Sequence, residues 1–236
     1  MTNEFRVMTS GAFTAAHRRL LPELAQLTGL EIVTVATSIG TGDISIPSRL
    51  QRGEIADLVI CDDDTLQGFI AAGLVRAGSD RRLARSMIGL AVRAGAPAPD
   101  VGTAEALRAT LLRARSIGYS ASVSGRYVTG QLYRALGIQD EAMAKSRFIG
   151  SGQRVGTFIA NGEVEIGFQQ VSELLPVEGI AHITPLPEPL QLYSYYTAGI
   201  GTSAAQPAAA ARVIEQLASR DTAAHIRATG LEPLAV

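Results

Sequence analysis

Short apolar runs of the strand kind alternate with helical patterns along nearly the whole chain, and this alternation constrains the fold more than any other feature. FRVMTS (residues 5–10) reads as a strand. AFTAAHRRLLPELAQLTG follows as a helix, with Phe13, Leu20, Leu21, Leu24 and Leu27 near one face and Gly29 as its stop. Next come a strand LEIVTVATS, a loop IGTGDIS, and a short helix IPSRLQRG with Pro47 in its first turn and Gly53 at its end. A strand IADLVICD and a helix DTLQGFIAAGLV complete the set. Strands joined through helices cannot be hairpins; they run parallel, with the helices covering the sheet.

The pattern then repeats. A longer strand around residues 85–92 leads through the loop APAPD to a helix TAEALRATLLRA capped by Thr103. Strands SIGYS, SRFIG and VEIGFQQ alternate with helices GRYVTGQLYRALG, QRVGTFIANG and VSELLP; strands AHITPLP and LQLYSYYTAGIG and two closing helices end the chain. The expected class is α/β, a two-lobed protein in which each lobe is a mainly parallel, helix-covered sheet. Lobe I takes residues 1–84 plus 196–236 and lobe II residues 85–195, with the chain crossing near 84–94 and 190–199. At 236 residues, 47% of them hydrophobic, the chain is long enough for two such cores. In open α/β sheets a ligand lies outside the carboxyl ends of the strands, so the site is expected in the cleft between lobes.

The segments after those strand ends share a chemistry. Thr9-Ser10-Gly11, TSIGTGDIS, SASVSG, GSGQR and QQVSE are rich in Ser, Thr, Gly and Gln, and three lead directly into helices. Helix starts carry orphan N–H groups and partial positive charge, and hydroxyls add neutral donors, which together suit a small anion. Any one such loop is explained by capping alone; five at the same sheet ends read as an anion site. The hydroxyls of Ser122 and Ser124 are expected to be exposed and to support no core.

Other chemistries are excluded. A net charge of −1 without a basic run gives no nucleic-acid footprint, and no apolar run is long enough for membrane insertion. The N-terminus lacks a leader pattern, so the chain as written is expected to stay in the cytoplasm. No nucleotide-binding glycine loop and no G-x-S-x-G elbow occur, and His17, His182 and His225 show no metal-ligand spacing. No cofactor or metal is therefore expected. His17 is expected at the surface or near the helix cap, Cys61 buried, and the run Asp62-Asp63-Asp64 at a helix start, with cation binding as its alternative role.

RLQRGEIADLVICDD, GYSASVSGRYVTGQLYRALGI and VGTFIANGEVEIGFQQVSELLPVEGI resemble the periplasmic molybdate-binding protein family, over nearly the whole chain. The resemblance implies the type II periplasmic-binding-protein fold, a small anionic ligand and, if the protein is exported, an ABC transporter permease as partner. In that family a serine after the first strand, a serine in the second loop, backbone N–H groups in the second lobe and a late tyrosine hold the oxyanion. The first serine position falls here at Ala12, with Ser10 and Gly11 beside it; the second loop offers Ser38, Thr41 and Ser45. The backbone donors map onto Gly125 and Gly152, and the tyrosine position holds Gln170. Gln169 and Gln170, with Arg126 and Arg154 nearby, suit a planar carboxylate better than a bare oxyanion. The same branch also resembles the aconitate isomerases, which implies a 1,3-proton shift on an unsaturated tricarboxylate as the alternative function. Asp43 or Tyr119 would then be the base.

Overall fold

The computed structural model describes residues 3–40, 42–150 and 153–234. Strand β1 (Glu4–Thr9) enters helix α1 (Gly11–Thr28), which Gly29 ends in the left-handed conformation (φ 70°), its N–H returning to the Ala25 carbonyl. β2 (Glu31–Ala36), α2 (Ile46–Gln51), β3 (Leu58–Asp62) and α3 (Asp63–Ala71) follow. Ser45 caps α2 by accepting from the Ser48 N–H, and Asp62 caps α3 by accepting from the Thr65 N–H. The long strand β4 (Arg81–Arg93) then carries the chain out of the first compact unit, which comprises residues 3–86 and 194–234 among those described.

The second unit, residues 87–193, runs through α4 (Ala104–Arg113), β5 (Ile117–Ser120) and α5 (Val123–Tyr127). After α5 comes a π-helical turn over Val128–Leu132, then α6 (Tyr133–Ala135), α7 (Gln139–Met143), β6 (Ser146–Ile149) and α8 (Val155–Ala160). β7 (Ile166–Gln170), α9 (Val171–Leu174) and β8 (Ile180–Pro185) complete it. β9 (Tyr193–Ile200) returns the chain to the first unit, which α10 (Pro207–Leu217), α11 (Arg220–Arg227) and β10 (Glu232–Pro233) close.

Both sheets are mainly parallel where the loops matter. In the first unit β1 pairs parallel with β2 and β3, while β9 runs antiparallel to β3. In the second unit β5 pairs parallel with β6 and β7, and β4 runs antiparallel to β7 and β8. Within each unit the three parallel strands therefore point their carboxyl ends to one sheet edge.

Alternation along each strand feeds two cores per unit. Leu58 and Ile60 of β3 join Phe5, Val7, Phe13, Leu20, Leu24 and Val213 on one face, whereas Val59 and Cys61 join Met8, Ile46 and Leu66 on the other. In the second unit Phe168 of β7 packs with Leu90, Leu107, Ile117, Leu132 and Tyr133, and α8 covers the opposite face through Val155 and Ile159. Strands buried on both faces read as continuous apolar runs, which is why Leu58-Val59-Ile60-Cys61 of β3 is apolar without interruption. Among the described residues no helix is long and apolar enough to cross a membrane.

Three local expectations are corrected. The helix expected from Gly125 starts at Val123 and widens into the π turn, where the Tyr133 N–H reaches the Val128 carbonyl. The Thr129 hydroxyl also donates to the Gly125 carbonyl at 2.9 Å, and the extra residue in the turn leaves Val128, Leu132 and Tyr133 all buried. Helix α7 went unread because it is short and presents only Ala142 to the core. His17 is not at the surface: it is fully buried, its Nε2 lying 2.9 Å from the Thr34 hydroxyl.

Candidate functional site

In the first unit, β1 delivers Ser10 to the start of α1. Its backbone N–H donates to the Ile60 carbonyl at 2.7 Å, which ties it to the carboxyl end of β3. Its carbonyl accepts from the Thr14 hydroxyl at 2.9 Å. Its own hydroxyl is buried with no partner, although Ser10 stands at the N-cap. The first turn of α1, beginning at Gly11, holds no acidic residue and no side-chain cap. An 18-residue helix thus begins with no side chain capping its first amides, although the Phe13 N–H turns back to the Ser10 carbonyl at 3.1 Å, and with one enclosed hydroxyl unspent.

The second loop folds back on itself: the Ser38 hydroxyl accepts from the Gly40 N–H at 3.2 Å, and the Ser38 carbonyl from the Ile46 N–H at 2.8 Å. Asp43 is exposed, with its carbonyl accepting from Arg52. Thr41 lies outside the described residues. The acidic run is structural. Asp62 caps α3, and Asp63 pairs with Arg82 and accepts from the Thr197 hydroxyl at 2.7 Å. The Arg82 guanidinium holds the Asp63 carboxyl below its usual range. A cavity of about 530 Å³ in this unit is lined by Asp63, Gln67, Asp80, Arg81, Arg82 and Leu234, none of them a residue expected from sequence to bind the anion.

In the second unit, three serine hydroxyls form a chain at the end of β5. Ser120 and Ser122 lie 2.9 Å apart, as do Ser122 and Ser124. Ser122 is the N-cap of α5, but its hydroxyl is engaged with its neighbours and caps nothing. The expectation of exposed hydroxyls is corrected for Ser124, which is fully buried and bonded. Gly125 is buried beside it, where a Cβ would stand 1.7 Å from the Ser120 carbonyl oxygen. Arg126 donates to the Ala121 carbonyl at 2.8 Å. The Tyr119 ring packs tilted against Phe148, ring centroids 5.7 Å apart and planes at 59°. Ser124→Ala is therefore expected to lower stability by about 1 kcal/mol, as a shift in urea midpoint, because it strips a buried partner from Ser122.

The third cluster joins β7, α8 and α9. The Gln169 side-chain carbonyl accepts from the Val155 N–H at 3.0 Å, so Gln169 is taken up in capping α8. This corrects its expected place facing the ligand. Gln170 is buried and stands at the N-cap of α9. Arg154 is exposed at the N-cap of α8, while Gly152 lies outside the described residues. Glu173, missed from sequence, is hydrogen-bonded to the Gln169 side chain and the Gln170 backbone. Its carboxyl is enclosed although the residue is only half-buried, and burial pushes it up to about 7 against the opposing pull of Arg154. Glu173 stands three residues after the N-cap Gln170 and accepts from its backbone, the reciprocal half of a capping box without the Ser or Thr that would complete it.

Among the described residues no three His, Cys, Asp or Glu side chains gather as a metal site. Burial, reinforced by Asp62 and Asp63, pushes the Cys61 thiol well up, which leaves it unreactive.

The family of bacterial extracellular solute-binding proteins matches residues 5–232. The chain belongs to this family. Among relatives of the family member described here, an aconitate isomerase from a Pseudomonas species is 36% identical over 229 residues, covering 97% of this chain and 87% of that protein. The periplasmic molybdate-binding protein of Azotobacter vinelandii is 18% identical, with 96% and 98% of the two chains covered and a TM-score of 0.76. The sulfate-binding protein SubI of Mycobacterium tuberculosis is 15% identical, with 99% and 88% covered and a TM-score of 0.76. The fold is that of the periplasmic binding proteins, a mixed α/β architecture with an open central sheet.

Proposed function

We propose that this solute-binding protein captures a small di- or tricarboxylate anion on its strand-end loops. The observation that carries the proposal is the start of α1: a buried Ser10 hydroxyl without a partner, on a long helix whose first turn is uncapped and free of acids. A neutral donor held dry at a helix start is matched by a negatively charged oxygen. Carboxylate is favoured over bare oxyanion by Arg154, whose guanidinium is exposed and offers a planar fork, and by the aconitate isomerase relative. In a transport setting the partner would be an ABC transporter permease.

Ser10→Ala tests this. The hydroxyl supports nothing in the ligand-free protein, so the melting temperature without ligand should stay within a degree or so of wild type. Affinity for trans-aconitate should fall by about 1.5–3 kcal/mol, the usual worth of a hydrogen bond to a charged group. Early melting with normal binding would assign Ser10 to packing instead.

A second reading, isomerisation of an unsaturated tricarboxylate, is favoured by the same relative over nearly the full chain. A base removes the proton from the saturated carbon, the C–H electron pair becomes the new double bond, and the far carbon of the old double bond takes up a proton. Proton NMR of cis- or trans-aconitate with the protein in deuterated water should then show double-bond migration, with deuterium at the carbon that gains the proton wherever the base exchanges with solvent. Asp43→Asn and Tyr119→Phe would separate the two candidate bases. Tight binding without conversion would leave capture alone.

A further inference from the structure

We propose that the cavity between α3 and the start of β4 is a second binding site, for a small aliphatic α-amino acid, separate from the strand-end loops that take the anion. Its occupant is a zwitterion because the charges left unspent on its wall are one of each sign.

The cavity, about 530 Å³, lies within the range of about 300–1,000 Å³ usual for small-molecule sites. Asp63 and Gln67 come from successive turns of α3 and share one face of that helix. Asp80, Arg81 and Arg82 come from the entry to β4, and Leu234 from the residue after β10. Much of this wall is held in place. The Asp63 carboxylate accepts from the Thr197 hydroxyl at 2.7 Å through one oxygen and pairs with Arg82 through the other. The Arg82 guanidinium lies over the Tyr195 ring, 4.9 Å from its centroid. Pro233 pairs with Ala84, and the Leu234 N–H donates to the Leu83 carbonyl at 2.8 Å, which fastens the apolar side of the lining.

What remains unspent decides the ligand. Asp63 and Arg82 cancel each other, and both Asp63 oxygens are taken. The Asp80 carboxylate meets only the Gln67 amide, at 3.4 Å, near the limit of a hydrogen bond. Among the described residues no hydrogen bond and no ion pair holds the Arg81 guanidinium, so it does not neutralise Asp80 although both line the same cavity. A ligand carboxylate suits the Arg81 fork, and a ligand ammonium suits Asp80. Leu234 offers apolar surface to an aliphatic side chain. A plain anion would meet the Asp80 charge uncompensated, and a plain cation would meet that of Arg81. Asp80 and Arg81 are both exposed, so water and salt screen each contact and binding is weak, in the millimolar range.

The test is a titration of the isotope-labelled full chain with L-leucine, followed by the backbone amide NMR signals of residues 63–67 and 80–82. Saturable shifts of these signals are expected at millimolar L-leucine. Isocaproate carries the carboxylate without the ammonium, and isoamylamine the ammonium without the carboxylate; each should bind about tenfold more weakly or worse. Asp80→Asn and Arg81→Gln should each weaken L-leucine about tenfold. Both positions are exposed, so the variants should keep the wild-type fold, which the rest of the spectrum reports. Saturating trans-aconitate should leave the L-leucine shifts in place. Silence at tens of millimolar L-leucine, equal affinity for the single-charge compounds, or undiminished affinity in both variants would overturn the proposal. Displacement of L-leucine by trans-aconitate would overturn it too, by placing both ligands in one site. Anion capture is read on Ser10 and not on these residues, so it stands or falls separately.

Discussion

Gly125→Ala is expected to destabilise the second unit severely. Its Cβ would stand 1.7 Å from the Ser120 carbonyl oxygen and 2.7 Å from the Ser120 carbonyl carbon. Both are backbone atoms at the end of β5 and cannot swing aside as a side-chain tip could. Ordinary overpacking costs about 1–3 kcal/mol; this contact forces α5 off the strand and should exceed that range. Gly130→Ala is the control. It lies in the π turn with nothing within 4 Å of the added Cβ, and removing a helical glycine should raise stability by about 0.5–1 kcal/mol. At about 2–4 °C per kcal/mol for a chain of this length, the two variants should move the melting temperature in opposite directions. A Gly125→Ala protein that melts with wild type would mean that α5 does not approach β5 so closely, and the serine chain would lose its frame.

The second large effect is on stability against pH. His17 is held neutral: burial, then the neighbouring Arg18 charge, lowers it to about 4 from an ordinary 6.5. Its folded value lies below its unfolded one, so protonation favours the unfolded chain. Stability is intact above 6.5 and is lost as pH falls towards 4, by up to about 3 kcal/mol. Glu173 works in the opposite sense. Its folded value, about 7, lies above the ordinary 4.5, so its contribution is intact below 4.5 and is lost as pH rises through 7. Allowing for the partial exposure of the residue, that loss is about 2 kcal/mol. The two slopes overlap between 4.5 and 6.5 and oppose each other there. Urea midpoints should therefore show Glu173→Gln gaining stability with rising pH across that window and His17→Gln losing it, with wild type between them. Parallel profiles for all three proteins would mean that neither group is displaced from its ordinary titration.

The strand and helix sequence was legible because both periods are strong, and because strands buried on both faces leave unbroken apolar runs. The strand-end loops were legible for the same reason: once the strands are parallel, Ser10, Ser122 and Gln170 have to follow carboxyl ends. What stayed hidden depends on contacts remote in sequence. His17 sits four residues after Phe13 and three before Leu20, squarely on the buried stripe of α1, yet its polar type suggested the surface. Leu27, expected on that stripe, is instead 37% exposed. Ser124 looked free because the sequence cannot show that Gly125 presses α5 against Ser120. Gln169 looked available for ligand, yet its carbonyl is occupied by an amide 14 residues earlier. Glu173 had no complete capping box to mark it, and the enclosure of its carboxyl arises from the packing of β7, α8 and α9.

The most direct measurement is a thermal-shift series on the purified protein with trans-aconitate, citrate and malate against molybdate, tungstate and sulfate. At a hundredfold excess over Kd a bound ligand adds about 2.7 kcal/mol, a shift of several degrees for a chain of this size. Capture of a di- or tricarboxylate predicts larger shifts from the carboxylates, which shrink sharply in Ser10→Ala. Stabilisation by molybdate or tungstate alone, with the carboxylates silent, would contradict it.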